Sequence, residues 1–293
     1  PRRGRQWRLP VPPPGPAARR FERCADLGSY GFRLPMDPRV NVICMKWGSM
    51  YGPEYVNHLR RGVARHLKRP HRFVCFTDDA QGLDADVEVR PLPDLGLPAG
   101  QKDLRWRKLA VFREQLADLQ GTALFLDLDL VVVDDLEPFF SAPGRFLIIR
   151  DDDLFRHKPL RRIDPERDRF LHSVGNSSVF RFEIGAHRYI LDAYVADPKG
   201  AAQRYEISQQ FQSAQLAAHG DLAYWPRGWC VSFKNDCVPR HVKSYLRDPV
   251  VPAGAHIVVF AGTPKMSDVL AGQGHKWYRR IGNIDWLRQA WGG

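Results

Sequence analysis

Leu124 to Asp135 reads LFLDLDLVVVDD, a nearly continuous apolar run into which two acids, Asp127 and Asp129, are set. Bounded by Gly121 on one side and by Asp134-Asp135-Leu136-Glu137-Pro138 on the other, the run has the composition of a central strand of a parallel sheet. Strand alternation puts the two carboxylates on one face, about 7 Å apart along the chain. Burying an unpaired carboxylate is costly, and two like charges push one pKa up, unless a cation lies between them or they sit at the strand's open end. Hard oxygen ligands of this kind suit Mg²⁺ or Mn²⁺, ions that commonly also hold a substrate diphosphate. The structural alternative is a half-exposed strand with outward-facing acids, and the apolar residues on both sides count against it.

Upstream of this run, strand and helix patterns alternate. Val40 to Met45 reads as a strand, Lys46 to Pro53 as a turn and about Glu54 to Leu67 as a helix, the start of a βαβ unit. Phe73 to Phe76 is a second strand ending in Thr77-Asp78-Asp79, and Val87 to Arg90 is a short extended piece before a proline-rich loop. Ligands of such sheets bind outside the carboxyl ends of the strands, so Lys46, Trp47, Tyr51, Thr77 and Asp78 fall where a ligand is met. Trp47 or Tyr51 could stack on a base, or simply pack. A helix is expected from about Leu104 to Leu119, with Lys108 among apolar neighbours, either a surface lysine or one aimed at phosphate.

Downstream, Phe146 to Ile149 reads as a strand running into Arg150-Asp151-Asp152-Asp153, and Arg156 to Arg169 as a charged surface loop. Ser173 to Phe182 reads as loop then strand, with Gly175 and Asn176 as the turn. Helices follow around Ala186 to Ala196 and Ile207 to His219, then an aromatic cluster from Tyr224 to Trp229. The last strand, His256 to Phe260, ends in Ala261-Gly262-Thr263-Pro264-Lys265, and a short helix around Trp286 to Trp291 finishes the chain. There is no internal repeat and no obvious second domain.

At 293 residues and a net charge of +11 the chain can build one large α/β domain. More than half of that charge lies in residues 1 to 35, where eight arginines face only Glu22 and Asp26. Residues 1 to 37 are rich in proline and arginine and lack a lasting period, so they read as an N-terminal extension, a solvated arm or a peripheral membrane contact. Residues 38 to 293 form the folded domain. Met36 stands just before the first element and could be a start codon. Five cysteines without zinc-site spacing fit a reducing compartment. No apolar run reaches the length of a membrane span or forms a signal core, and a cytoplasmic protein is expected.

In order along the chain come a basic residue before an acidic strand, Asp-x-Asp, an Asn-Ser turn, a glutamine-bearing helix and a late Gly-x-x-Lys. Together they resemble the GT-A nucleotide-sugar glycosyltransferases, nearest to glycosyltransferase family 8, the galactosyltransferase and glycogenin group. The resemblance spans roughly residues 40 to 265 and implies an α/β fold with a Rossmann-like, mixed but mostly parallel sheet flanked by helices. It also implies a nucleoside-diphosphate sugar donor, a UDP-sugar foremost, and a glycan or lipid-linked hydroxyl acceptor, with no nucleic acid. By position, Asp127 and Asp129 match the metal-binding pair for Mn²⁺ or Mg²⁺, with Asp129 also counted in the catalytic set. Lys108 matches the basic residue that meets the donor, and Asn176 and Ser177 match the Asn-Ala-Gly segment at the donor sugar, with Ser178 in place of its glycine. Gln209 matches the glutamine near the anomeric carbon, with Ser208 where an aspartate is usual. Gly262 and Lys265 match the loop whose lysine grips the diphosphate. The family's third metal ligand is a histidine, and Val259 stands there in this chain.

The chemistry follows from the residue types. A sugar leaves a diphosphate when the developing negative charge is held by cations, here an ion with Lys265 and Lys108. Family 8 implies retention of configuration with Gln209 beneath the ring, whereas an inverting enzyme needs a base among Asp151, Asp152 and Asp153. Two other classes compete. LFLDLDLVVV also fits a haloacid-dehalogenase-type phosphatase, with Asp127 as nucleophile, although two strands precede it. A binding protein recruited by its basic tail to nucleic acid or anionic lipid is the other, although the Tyr224 to Trp229 aromatics lack interleaved lysine or arginine.

Overall fold

The computed structural model describes residues 39–98, 105–155, 163–292. The N-terminal extension expected up to residue 37 lies outside the described residues. The chain opens with β1 (Val40–Lys46), α1 (Pro53–His66), β2 (His71–Thr77) and β3 (Glu88–Pro91). In β1, Val42 and Cys44 point into the core on one side of the sheet, Ile43 and Met45 into the core on the other. That is why the strand carries no polar alternation. Helix α1 begins with Pro53, whose fixed φ suits a first turn, and buries Val56, Leu59 and Val63. Each such side chain contributes about 2 kcal/mol relative to exposure.

Next come β4 (Thr122–Leu126), β5 (Leu130–Val132), α2 (Glu137–Ser141), β6 (Phe146–Arg150), α3 (Asp151–Leu154) and α4 (Pro165–His172). They are followed by β7 (Gly175–Glu183), α5 (Arg188–Ala196), α6 (Pro198–Arg204), α7 (Ser208–Ala218), β8 (Leu222–Tyr224) and β9 (Cys230–Ser232). The last elements are β10 (Ile257–Val259), α8 (Met266–Leu270) and α9 (Asp285–Gly292).

Seven strands form one sheet in the order β3-β2-β1-β4-β7-β6-β8. Only β7 runs against its neighbours, so the sheet is mixed and mostly parallel, as expected. From β1 the chain builds outward to β2 and β3, then returns to place β4 on the other side of β1. The carboxyl ends of β1 and β4 therefore flank the point where the order reverses, which is where open α/β sheets bind ligands. A second sheet, β5-β10-β9, packs with α1 and α9 on one face of the main sheet. The other face is covered by α5, α7 and the segment from Trp106 to Leu119.

Four local expectations are corrected. The acidic run is not one strand: it breaks at Asp127 to Asp129, and its halves, β4 and β5, belong to different sheets. The break puts both acids at the open end of β4, where they are half-buried rather than enclosed in the sheet. Of the helix expected from Leu104 to Leu119, the described part from residue 105 holds only a six-residue 3₁₀ helix, Arg107–Phe112, ended by Arg113 in extended conformation. Its apolar positions are filled by burial of Leu109 through Phe112 rather than by a helical stripe. Of the surface loop expected from Arg156 to Arg169, residues 156–162 lie outside the described residues and the rest enters helix α4, started by Asp164, whose carboxylate accepts from the Arg167 amide. Finally, Gly175 and Asn176 begin β7 instead of forming a turn. A side chain at Gly175 would stand 2.6 Å from Ile148, so glycine is what permits this approach beside the irregularity between Ile148 and Ile149. The tryptophans of the Tyr224 to Trp229 cluster pack inward, Trp225 and Trp229 on Phe139 and Trp229 also on His256, while Pro226, Arg227 and Gly228 are exposed. The four described cysteines are buried free thiols, and no helix among the described residues is long and apolar enough to cross a membrane.

Candidate active site

Asp127 follows β4 directly, and its amide donates to the Ser178 carbonyl on β7 at 2.8 Å. Asp129 is anchored elsewhere, its carbonyl accepting from the Phe260 amide at 2.9 Å just beyond β10. Buried Leu128 separates them. The 3₁₀ turn on the opposite face delivers Lys108, whose ammonium lies 2.6 and 2.8 Å from the two Asp127 carboxylate oxygens. The same ammonium donates to the Ser177 carbonyl at 3.0 Å and sits 5.1 Å over the Phe125 ring. Lys108, Asp127 and Ser177, read from three distant parts of the chain, thus converge.

Asp129 receives no such cation. Its carboxylate accepts only weakly from the Tyr51 hydroxyl, at 3.3 Å. Burial, followed by the negative charge of Asp127, pushes its pKa up to about 6, with Lys108 and Tyr51 opposing the rise. Tyr51 is raised too, by burial and then by the Asp129 charge. The Lys265 ammonium lies 5.4 Å over the Tyr51 ring, which brings the late loop to the acids. Its amide donates to Asp268 at the start of α8. Gly262 adopts φ +80, a left-handed conformation that favours glycine.

Gln209 and Asn176 meet through a residue that the sequence reading considered only as a base for inversion. Both side-chain amides donate to one oxygen of buried Asp151, at 3.2 and 3.4 Å. An acid opening a run of three, just past a strand, is the signal that could have found it. Asp151 thus holds the Gln209 amide by its nitrogen end. The remaining candidates form a separate group at the ends of β1 and β2. The buried Lys46 ammonium and the Thr77 hydroxyl both donate to the Asp79 carbonyl, and the Gly48 amide donates to Asp78. Trp47 is half-buried against the core. A cavity of about 800 Å³ lined by Leu95, Arg113, Glu114, Arg188 and Asp192 includes none of the candidate residues.

Among the described residues no cluster of three or more acid, histidine or cysteine side chains could hold a metal. Val259 faces Leu130 and Ser232 across the small sheet. The donor set is therefore two carboxylates, one of them ionised at a cost. That fits Mg²⁺ or Mn²⁺, which typically take one or two protein carboxylates and draw their other ligands from water and substrate phosphates.

No protein-family profile matches the chain, and no curated sequence matches it. Solved structures do. Galactosyltransferase LgtC, determined with donor and acceptor sugar analogues, superposes with a TM-score of 0.55 at 16% identity, over 86% of this chain and 95% of that one. The glycosyltransferase GlyE of Streptococcus pneumoniae gives 0.52 at 11% identity, over 87% of this chain and 62% of that one. The bifunctional glycosyltransferase WbbM gives 0.51 at 12% identity over 80% of this chain, which spans about half of that protein's chain. At such identities the likeness establishes the fold. The chain has the GT-A architecture of these glycosyltransferases.

Proposed function

We propose that this protein is a metal-dependent glycosyltransferase that moves a hexosyl group from a nucleoside diphosphate to a hydroxyl acceptor, with retention of configuration. The observation that carries the reading is the acid pair at the switch point, with Lys108 on one carboxylate, Tyr51 beside the other and Lys265 over the Tyr51 ring. Asp127 and Asp129 would hold Mg²⁺ or Mn²⁺, which supplies Lewis-acid stabilisation of a leaving diphosphate. Lys265 and Lys108 add positive charge that matters most as the sugar–phosphate bond breaks. Gln209, fixed by Asp151, sets an uncharged oxygen near the anomeric carbon, where an oxocarbenium-like centre gains from a dipole and loses nothing to desolvation of a full charge. Asn176 and Ser177 line the sugar side, and Trp47 and Thr77 the nucleoside side. A UDP-sugar is the donor proposed.

The phosphatase reading is weaker because β1 and β2 precede the acids and the late loop beside Gly262 carries Lys265 rather than a further acidic pair. The test is a screen of nucleotide sugars for slow hydrolysis with Mn²⁺ and with Mg²⁺, which needs no acceptor. Release of nucleoside diphosphate from one donor is expected, dependent on the ion. Phosphate release from simple esters without turnover of any nucleotide sugar would overturn the proposal.

A further inference from the structure

Lys234 reaches the late loop at Gly262, three residues before Lys265. Its ammonium donates to the Ala261 carbonyl at 2.8 Å and would stand 3.2 Å from a side chain at Gly262. It also lies 5.2 Å over the ring of Phe155, the residue that ends α3. Helix α3 begins with Asp151, the carboxylate that holds Gln209. Lys234 thus stands between the late loop and the element that positions the glutamine.

The charged groups that reach Lys234 are both cations. Half-buried among them, it has its pKa lowered by burial, then by Arg279 and Lys276. A guanidinium nitrogen of Arg279 donates to the Lys234 carbonyl at 2.8 Å, and its Nε is buried with no partner. Lys276 is exposed and pairs with Arg279 only through the backbone, at 2.9 and 2.8 Å. None of the three has an acidic partner among the described residues. The nearby Asp236 turns its carboxylate to the Ser232 amide instead. Three cations gathered without an acid repel one another by an amount that the fold must offset, unless an anion occupies the space between them.

The donor does not account for them. On the transfer reading, the leaving diphosphate is already served by Lys108 and Lys265. We infer that Lys234, Arg279 and Lys276 form an anion subsite beside Gly262 that takes a phosphate or carboxylate carried by the sugar acceptor. The acceptor is then an acidic saccharide, its anionic group held here while a neighbouring hydroxyl approaches the anomeric carbon above Gln209. This inference rests on the glycosyl-transfer reading.

Calorimetry on the full chain, loaded with saturating UDP and Mn²⁺, tests it with glucose 6-phosphate, glucuronate and glucose as probes. Both anionic sugars should bind at least about tenfold more tightly than glucose. Lys234→Met, which keeps the stem, should weaken glucose 6-phosphate by about tenfold and the exposed Lys276→Gln by about threefold, with UDP affinity unchanged in both. Equal binding of charged and neutral sugars, or unchanged glucose 6-phosphate affinity in both variants, would overturn the subsite. A fall in UDP affinity in Lys234→Met would give the cluster to the donor diphosphate instead. If no nucleoside diphosphate binds the wild-type protein, the transfer reading falls and the acceptor assignment with it. Nucleotide binding without binding of the anionic sugars sinks the subsite alone.

Discussion

Two charge clusters lie at opposite ends of the same mostly parallel sheet, and the carboxylate pKa shifts in them run in opposite directions. At the amino ends, Arg72 bridges Glu88 and Asp118, at 2.5 and 2.8 Å, and Arg90 closes the square onto Asp118 at 2.7 Å. There the Arg72 hydrogen bonds hold Glu88 below the usual carboxylate range, and those of Arg90 hold Asp118 far below it. Each partner favours the charged form of the other. At the carboxyl ends, Asp127 and Asp129 share one lysine, and Asp129 is raised to about 6. The first cluster is complete and stabilises the fold. The second lacks a cation, and the missing positive charge is what the proposed metal ion would bring.

The sharpest test is at the acids. Asp127→Ala or Asp129→Ala should lower turnover by about 10³-fold or more under limiting metal, with circular dichroism unchanged, because no protein group replaces either ligand. Full activity in either variant would break the contrast. Lys265→Ala should lower kcat by about 10²-fold and weaken nucleoside diphosphate binding, and Lys265→Arg should restore only part of both. Steady-state kinetics with calorimetry on the two variants reads this.

Stability should separate the clusters by sign. Folded Asp129 keeps its proton up to about pH 6, whereas an unfolded aspartate loses it near pH 4. The folded chain therefore binds more protons across that window, and its stability falls as pH rises through it. Asp129→Asn should thus raise the stability of the metal-free protein at pH 7, on the order of 2 kcal/mol after allowance for solvent screening. Glu88 and Asp118 act the other way, with stability present above the unfolded carboxylate range and lost as pH falls below it. Arg72→Ala should cost about 1 to 2 kcal/mol at pH 7 while leaving turnover intact. Thermal melts of both variants from pH 3 to pH 8 should show slopes of opposite sign relative to wild type. The smallest effect belongs to the basic arm: a chain starting at Met36 should turn over a small acceptor at the wild-type rate, and loss of folding on truncation would make the arm integral.

Much of the fold was legible because buried parallel strands are written as apolar runs, and β1, β2, β6 and β10 fall within a residue or two of their expected limits. The break after Leu126 was not, since nothing local distinguishes a strand that continues from one that changes sheets. That choice is made by Ser178 and Phe260, the first about 50 and the second about 130 residues away along the chain. Lys108 was singled out on its apolar surroundings, and it lies on a short 3₁₀ helix rather than the expected longer helix. Both descriptions put it opposite β4. Lys234 carries no pattern in WCVSFKNDC and becomes visible only through Gly262, which it touches from 28 residues upstream.

The anchoring of the two acids to different sheets has a thermodynamic corollary. Asp127 moves with β7 and Asp129 with β10, so their separation is a gauge of how the two sheets dock. A ligand that bridges them binds the docked form and not the parted one. Its binding free energy then enters the cooperative unfolding of the whole chain, and the melting temperature should climb with the logarithm of ligand concentration. The seam between the sheets thus converts occupancy of one small site into rigidity of the entire domain.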